Sequence, residues 1–345
     1  MAPKPSAYKR NDDLLKFAQP SRRKGWISIL TSALPYLALF TATYLTLGVS
    51  LPLTLALEVL AAGFLVRTFV IFHDCTHGSL LPTKRENTIV GRVLGVIVLS
   101  PFARWRKDHI THHAHAGDLD QRGAGDVATM TVTEYQRASN RTRLTYRLGR
   151  SPLMMLTVGP IIAMIVGPRI MAKDAKPEMR KSVRMTNLAL AVIIGGLCLL
   201  MGWQDFLIVW APPALMAGAA GIFLFYVQHQ HEDAYWKNTD DWSYTDAALQ
   251  GSSYLKLPAI LNFFSANIGL HHVHHLNPRV PSYNLQRAHA SCAVFASVPV
   301  LTLADGFRAF RLKLWDEDTA QLVTFAEARS RVVTPAAAQP LAARA

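Results

Sequence analysis

Cysteine is scarce in this chain: three residues in 345, Cys75, Cys198 and Cys292, with no CxxC pair. That spacing argues against a disulfide framework and against a thiolate zinc site. Cys75 sits inside a histidine motif, which alone does not make it a ligand. Charge is scarce too. Asp, Glu, Lys and Arg make up 17% of the chain, against roughly 25% in soluble domains. The deficit falls in long uncharged stretches, which points to a membrane protein rather than a large soluble core. Acidic residues are outnumbered, 23 against 36 basic, for a formal charge of +13. Nucleic acid, anionic headgroups or an acidic protein could each account for that excess. No nucleic-acid motif is present, and a positive-inside bias supplies the simplest source. The segment 1–25 is polar and basic, without the apolar stretch and cleavage pattern of a secretory signal. It is expected to be a cytosolic tail. The Ala- and Pro-rich segment 331–345 is expected to be disordered.

What the chain does have is apolar length. A helix needs about 20 apolar residues to cross the hydrocarbon core. Four segments meet this: 26–47, 51–72, 186–203 and 206–227. Two more, 88–103 and 153–172, are apolar but contain Arg92 or Pro160, Pro168 and Arg169. If 88–103 crossed, the histidines that follow it would face away from those before it. If 153–172 crossed alone, the basic loop 173–184 would lie outside, against the positive-inside bias. Both are therefore expected to be interfacial or re-entrant. The expected fold is an all-α integral membrane protein, with four spans in two hairpins and a cytosolic helical cap, over residues 26–330. Arg67 is expected to snorkel to the headgroups, and Glu58, deeper, to find a hydrogen-bond partner.

Histidine carries the chemistry. Of 13 histidines, 12 fall in four windows: His73/His77, His109/His112/His113/His115, His229/His231 and His271/His272/His274/His275. His289 stands alone. Spacings of three and four put side chains on one helix face. One ion seldom takes more than about six ligands, so eight or more convergent imidazoles imply two ions. Imidazole suits zinc, copper, iron and nickel alike, and residue types do not choose among them. The Glu-x-x-His pairs of soluble di-iron bundles are absent, as is an HExxH motif. A metal transporter would carry ligands within its spans near the midplane. The four spans contain no histidine.

The motifs resemble those of the membrane fatty acid desaturase family, in the omega-6 type acyl-lipid branch of bacteria and cyanobacteria. His73-Asp-Cys-Thr-His77-Gly-Ser resembles the first histidine box. His109-Ile-Thr-His112-His113, followed by Gly117-Asp-Leu-Asp120 and Arg122-Gly-Ala-Gly-Asp126, resembles the second. Phe225-Tyr-Val-Gln-His229-Gln, Gly251-Ser-Ser-Tyr254 and Leu257-Pro258 are similar to the approach to the third. Asn267-Ile-Gly-Leu-His271-His-Val-His274-His275, with Pro278-Arg279-Val-Pro281, resembles the third box and its tail. The likeness covers about residues 70–288.

The resemblance implies two iron ions, O2 as co-substrate and a membrane lipid or acyl substrate that gains a cis double bond. It also implies an external electron donor, ferredoxin-like or cytochrome b5-like. By position, the implied ligands are His73, His77, His109, His112, His113, His229, His271, His274 and His275. Asn267 resembles a position that holds a metal-bound water. His115 and His231 depart from the family pattern and, with His272, are expected outside the ligand set. Asp74, Asp118, Asp120, Asp126, Glu232 and Asp233 are candidates to receive the second ring N–H of a ligand. A hydroxylase or ketolase on the same scaffold is the alternative activity, and metal transport the non-enzymatic one.

Overall fold

A computed structural model describes residues 12–123, 127–171 and 175–330. Asp126 and the expected disordered segment 331–345 lie outside them. Among the described residues, five helices are long and apolar enough to cross a membrane. They are α1 (Arg22–Thr46), α2 (Leu51–His77), α6 (Pro152–Arg169), α7 (Pro177–Met201) and α8 (Trp203–His229). The other elements used below are α3 (Lys84–Ile97), α4 (Phe102–His115), α5 (Asn140–Gly149), α9 (His271–Leu276) and α10 (Phe325–Ser330).

Four of them fall on the segments expected to cross. The fifth is the segment containing Pro160 and Pro168. Proline removes a backbone donor and crowds the preceding turn. Here the chain absorbs this by widening into a π-helical stretch, Ile161–Val166, and tightening into a 3-10 turn, Gly167–Arg169. The helix bends its hydrogen-bond pattern instead of ending.

The segment 88–103 is not one straight helix. It divides between α3 and α4, which meet at 101°. Thr83 and Glu86 close a capping box at the start of α3, supplying orphan N–H groups with partners. At the bend Leu99 adopts φ 57°. Both ends of the pair return to one end of α2. A Cβ on Gly25 would meet Leu80 and Leu81, just before α3, and α4 delivers His109 to His73.

Within α2 the helix does not stop at residue 72. It runs on to His77, where Gly78 takes the left-handed conformation (φ 70°) and its N–H caps the helix. A glycine tolerates that φ at no Cβ cost. The first two histidines thus occupy the last two turns of a membrane helix.

Two expectations are corrected. The chain is not purely helical: β1 (Met130–Thr131), β4 (Leu314–Asp316) and β5 (Gln321–Val323) form one small sheet, and β2 (Tyr254–Leu255) pairs with β3 (Val300–Leu301). Strands of two or three residues leave little period to read. Arg67 does not reach for headgroups. Its guanidinium donates to the Phe263 carbonyl and lies 4.3 Å from that ring. Glu58 is buried and lines a recess with Gly48, Ile208 and Pro212, at the end of α2 away from the histidines. Part of the basic N-terminal segment is packed, with Leu14, Phe17 and Ala18 in the main core.

Candidate metal centre

Four elements bring the histidines together. The end of α2 supplies His73 and His77, α4 supplies His109, His112 and His113, the end of α8 supplies His229, and α9 supplies His271, His274 and His275. They divide into two groups. One holds His73, His77, His109, His113 and His274; the other holds His112, His229, His271 and His275. In each, the potential ligand atoms lie within 4.8 Å of one another.

The nitrogen spacing is the informative quantity. Nε2 of His109 lies 2.9 Å from that of His73 and 3.0 Å from that of His113, which is 2.9 Å from Nε2 of His274. In the second group His229 lies 3.2 Å from His112 and 2.9 Å from His271, and His275 lies 3.1 Å from His271. A metal–imidazole bond is about 2.0–2.1 Å, so cis ligands at right angles sit about 3.0 Å apart. The observed edges match that spacing.

Hydrogen bonding alone would satisfy this arrangement poorly. A neutral imidazole has one N–H and one acceptor nitrogen. Nε2 of His109 faces two further Nε2 atoms, and one proton cannot serve several such edges. Protonating the rings is no remedy. Burial, and then the neighbouring imidazoles, hold the pKa values of His271, His274 and His275 well below the ordinary range. Their lone pairs are therefore free at neutral pH, as metal ligation requires. The donor set is all nitrogen, so the residues fit two closely placed, imidazole-binding ions.

Further contacts surround the histidines. Asp74 Oδ1 lies 3.5 Å from His73 Nδ1, while its Oδ2 accepts from Ser282 N at 2.7 Å. His229 Nδ1 lies 3.1 Å from the Gly251 carbonyl. Trp105 stacks on His109 at 4.4 Å, and Tyr244 Oη donates to the His275 carbonyl at 2.6 Å. Trp105 was readable as the residue four before His109, on the same helix face. The Gly251 carbonyl carries no side-chain signal.

The other candidates stand elsewhere. His115 Nδ1 lies 3.0 Å from the Thr111 carbonyl. His231 is buried outside both groups, and that burial lowers its pKa to about 4. His272 pairs with His289 at 3.0 Å. Asp118 and Asp120 do not serve as ring acceptors. They receive the hydroxyl and N–H of Thr239. Glu232 is exposed, and Asp233 accepts from Gln321. Asn267 sits with Ala266 in a left-handed turn (φ 63° and 45°), and Leu270 N donates to its carbonyl.

An apolar cavity of about 290 Å³ opens beside the groups, touching His73, His109 and His271. A smaller void shares Val66, Phe69, Met164 and Gly221 with it and continues to Leu65 and Trp210.

The sequence profile described as "Fatty acid desaturase" matches residues 48–297. A fatty acid desaturase of Bacillus subtilis (strain 168) is 45% identical over 309 residues, spanning 90% of this chain and 88% of that protein. The sn-1 oleoyl-lipid 12-desaturase of Synechocystis sp. is 27% identical over 275 residues, 78% of this chain and 75% of its own. The sn-1 acyl-lipid omega-3 desaturase (ferredoxin) of the same organism is 28% identical over 230 residues, 64% and 62% of the two chains.

Proposed function

The chain belongs to the fatty acid desaturase family, and on that premise we propose that it places a cis double bond in the acyl chains of membrane lipids at a pair of histidine-held iron ions. The observation that carries this reading is the set of Nε2–Nε2 edges of 2.9–3.2 Å in two adjoining groups. His73, His77, His109, His113 and His274 would hold one ion, and His112, His229, His271 and His275 the other. When bound, such a pair supplies the O2-dependent oxidising chemistry that removes two hydrogens from adjacent carbons, with O2 reduced to water.

The protein's own part is positional. Val66, Phe69, Val70 and Phe225 form an apolar wall that excludes water and aligns a methylene chain past His73, His109 and His271. Holding one carbon pair beside the centre replaces a random encounter by a fixed one. Trp105 stacks on the ring of His109, and the Asp74 carboxylate lies 3.5 Å from His73 Nδ1. Exchange of Asp74 for Asn keeps an acceptor for Ser282 N but removes the charge beside His73. The expected result is roughly 10–100-fold weaker metal retention against a chelator, the usual cost of losing such a partner.

The lipid-linked substrate rests on the cyanobacterial relatives, whose names specify acyl-lipid desaturases. The named ferredoxin of one relative favours an external one-electron carrier, ferredoxin-like or cytochrome b5-like. For topology, we favour four crossings, α1, α2, α7 and α8, with both metal sites on the cytosolic face of a bacterial inner membrane. The return of α3–α4 to the end of α2 where it began supports this, as does the basic loop before α7. Expression in a desaturase-deficient bacterium, with mass spectrometry of the lipids, tests the activity. New cis double bonds in lipid acyl chains are expected. An oxygen-bearing product without a double bond would refute desaturation.

A further inference from the structure

A second concave site lies away from the metal centre, between α5 and α10. It is a groove of about 620 Å³ lined by Tyr135, Asn140, Arg143, Leu144, Arg147 and Arg329, with no carboxylate among its described lining residues. Arg143 and Arg147 are one helical turn apart and both are held in place. Arg143 Nη2 donates to Asn140 Oδ1 at 2.7 Å. Arg147 Nε donates to the Tyr135 hydroxyl, with its guanidinium 4.8 Å from the Phe325 ring. The same stripe continues, at i+7, to Arg150. Arg150 is buried, and its Nε and Nη1 have no hydrogen-bond partner among the described residues, while Nη2 donates to Gln230 at 2.8 Å. The adjacent stripe of α5 is apolar: Leu144 and Leu148 are 57% and 52% exposed. It leads to Leu153, 73% exposed, at the start of the membrane-capable α6.

A helix with exposed leucines on one side and arginines beside them lies at the level of lipid headgroups. The groove's volume matches a small-ligand cleft, about 300–1,000 Å³. A docked protein would need a flatter footprint of about 800 Å². We propose that this groove binds the phosphate headgroup of an anionic phospholipid, with the acyl chains lying along Leu144, Leu148 and Leu153.

The test uses the full chain in nanodiscs of mixed phosphatidylglycerol and phosphatidylcholine, with retained lipid counted by native mass spectrometry. The wild type is expected to retain phosphatidylglycerol preferentially. Each interfacial arginine is worth about fivefold in anionic-lipid affinity, so Arg143→Gln with Arg147→Gln should lose about 25-fold. The Arg143→Lys, Arg147→Lys pair should keep most of the preference. Circular dichroism and elution volume report whether the variants fold. Independently of any variant, a photoactivatable phosphatidylglycerol should label peptides spanning 144–153 in the wild type. Unchanged retention in the glutamine pair, or no label in that segment, overturns the proposal. So does complete displacement by inorganic phosphate, which marks a free-anion site. Loss of affinity for an acidic redox protein without loss of lipid would overturn it as well.

Discussion

Replacing His109 by alanine should take the protein from two metal ions per chain to one and reduce desaturation to background. His109 Nε2 stands 2.9 Å from His73 and 3.0 Å from His113, so it defines two edges of the five-histidine group. Structural metal sites with four ligands bind with about 10–16 kcal/mol, or roughly 3 kcal/mol per ligand. Losing one ligand therefore weakens binding by about two orders of magnitude. The second group, His112, His229, His271 and His275, does not include His109 and should keep its ion. His271→Ala is expected to give the mirror-image result. Elemental analysis by mass spectrometry reads the stoichiometry, and lipid analysis reads the activity. His115→Ala is the matched control on the same helix. Its ring bonds to the Thr111 carbonyl outside both groups, so two ions and near-normal activity are expected. Two ions retained with full activity in His109→Ala would remove His109 from the ligand set.

The histidine centre was legible because its information is local. Spacings of three and four residues within α4 and α9 specify a helix face without knowledge of the tertiary fold. The division into two groups was not legible. His112 and His113 are neighbours in sequence, yet adjacent helical positions diverge by about 100°, and they enter different groups. Which partner each meets depends on how α4 packs against α8 and α9. The acidic residues show the opposite failure. Asp118 and Asp120 follow closely on His115, but the chain turns after Ala116, and their carboxylates secure Thr239 instead. Ring support for His229 comes from a backbone carbonyl, Gly251, which residue types do not reveal. Membrane helices were read from apolar length, and all five long apolar helices fall on segments the sequence marks as apolar. Pro160 lies inside α6 at the point where the α-helical part gives way to the π-helical stretch.

Gly221→Phe should close the acyl cavity while leaving the metals in place. Gly221 lines both the cavity beside the histidines and the deeper void that ends at Leu65 and Trp210. A Cβ at this position meets no heavy atom within 4 Å. The neighbouring Gly218 is different, since its Cβ would come 2.7 Å from Pro160 and disturb the contact between α6 and α8. Gly221 thus offers a place to add volume without forcing the helices apart. Glycine in a helix interior is also unfavourable by about 1 kcal/mol relative to alanine, so the backbone gains from the exchange. A phenyl ring there competes directly with the acyl chain. If it displaces about four methylenes, each worth about 0.8 kcal/mol on burial, binding of a long chain loses about 3 kcal/mol. That corresponds to about a hundredfold lower kcat/KM for the long substrate. Chains short enough to end before Gly221 should lose much less, so the product profile should shift toward shorter acyl groups. Lipid analysis with acyl chains of graded length, alongside metal content, separates the cases. Loss of metal together with activity would indicate a collapsed site. Unchanged turnover of the longest chains, with metal intact, would mean that the substrate does not pass Gly221 at all.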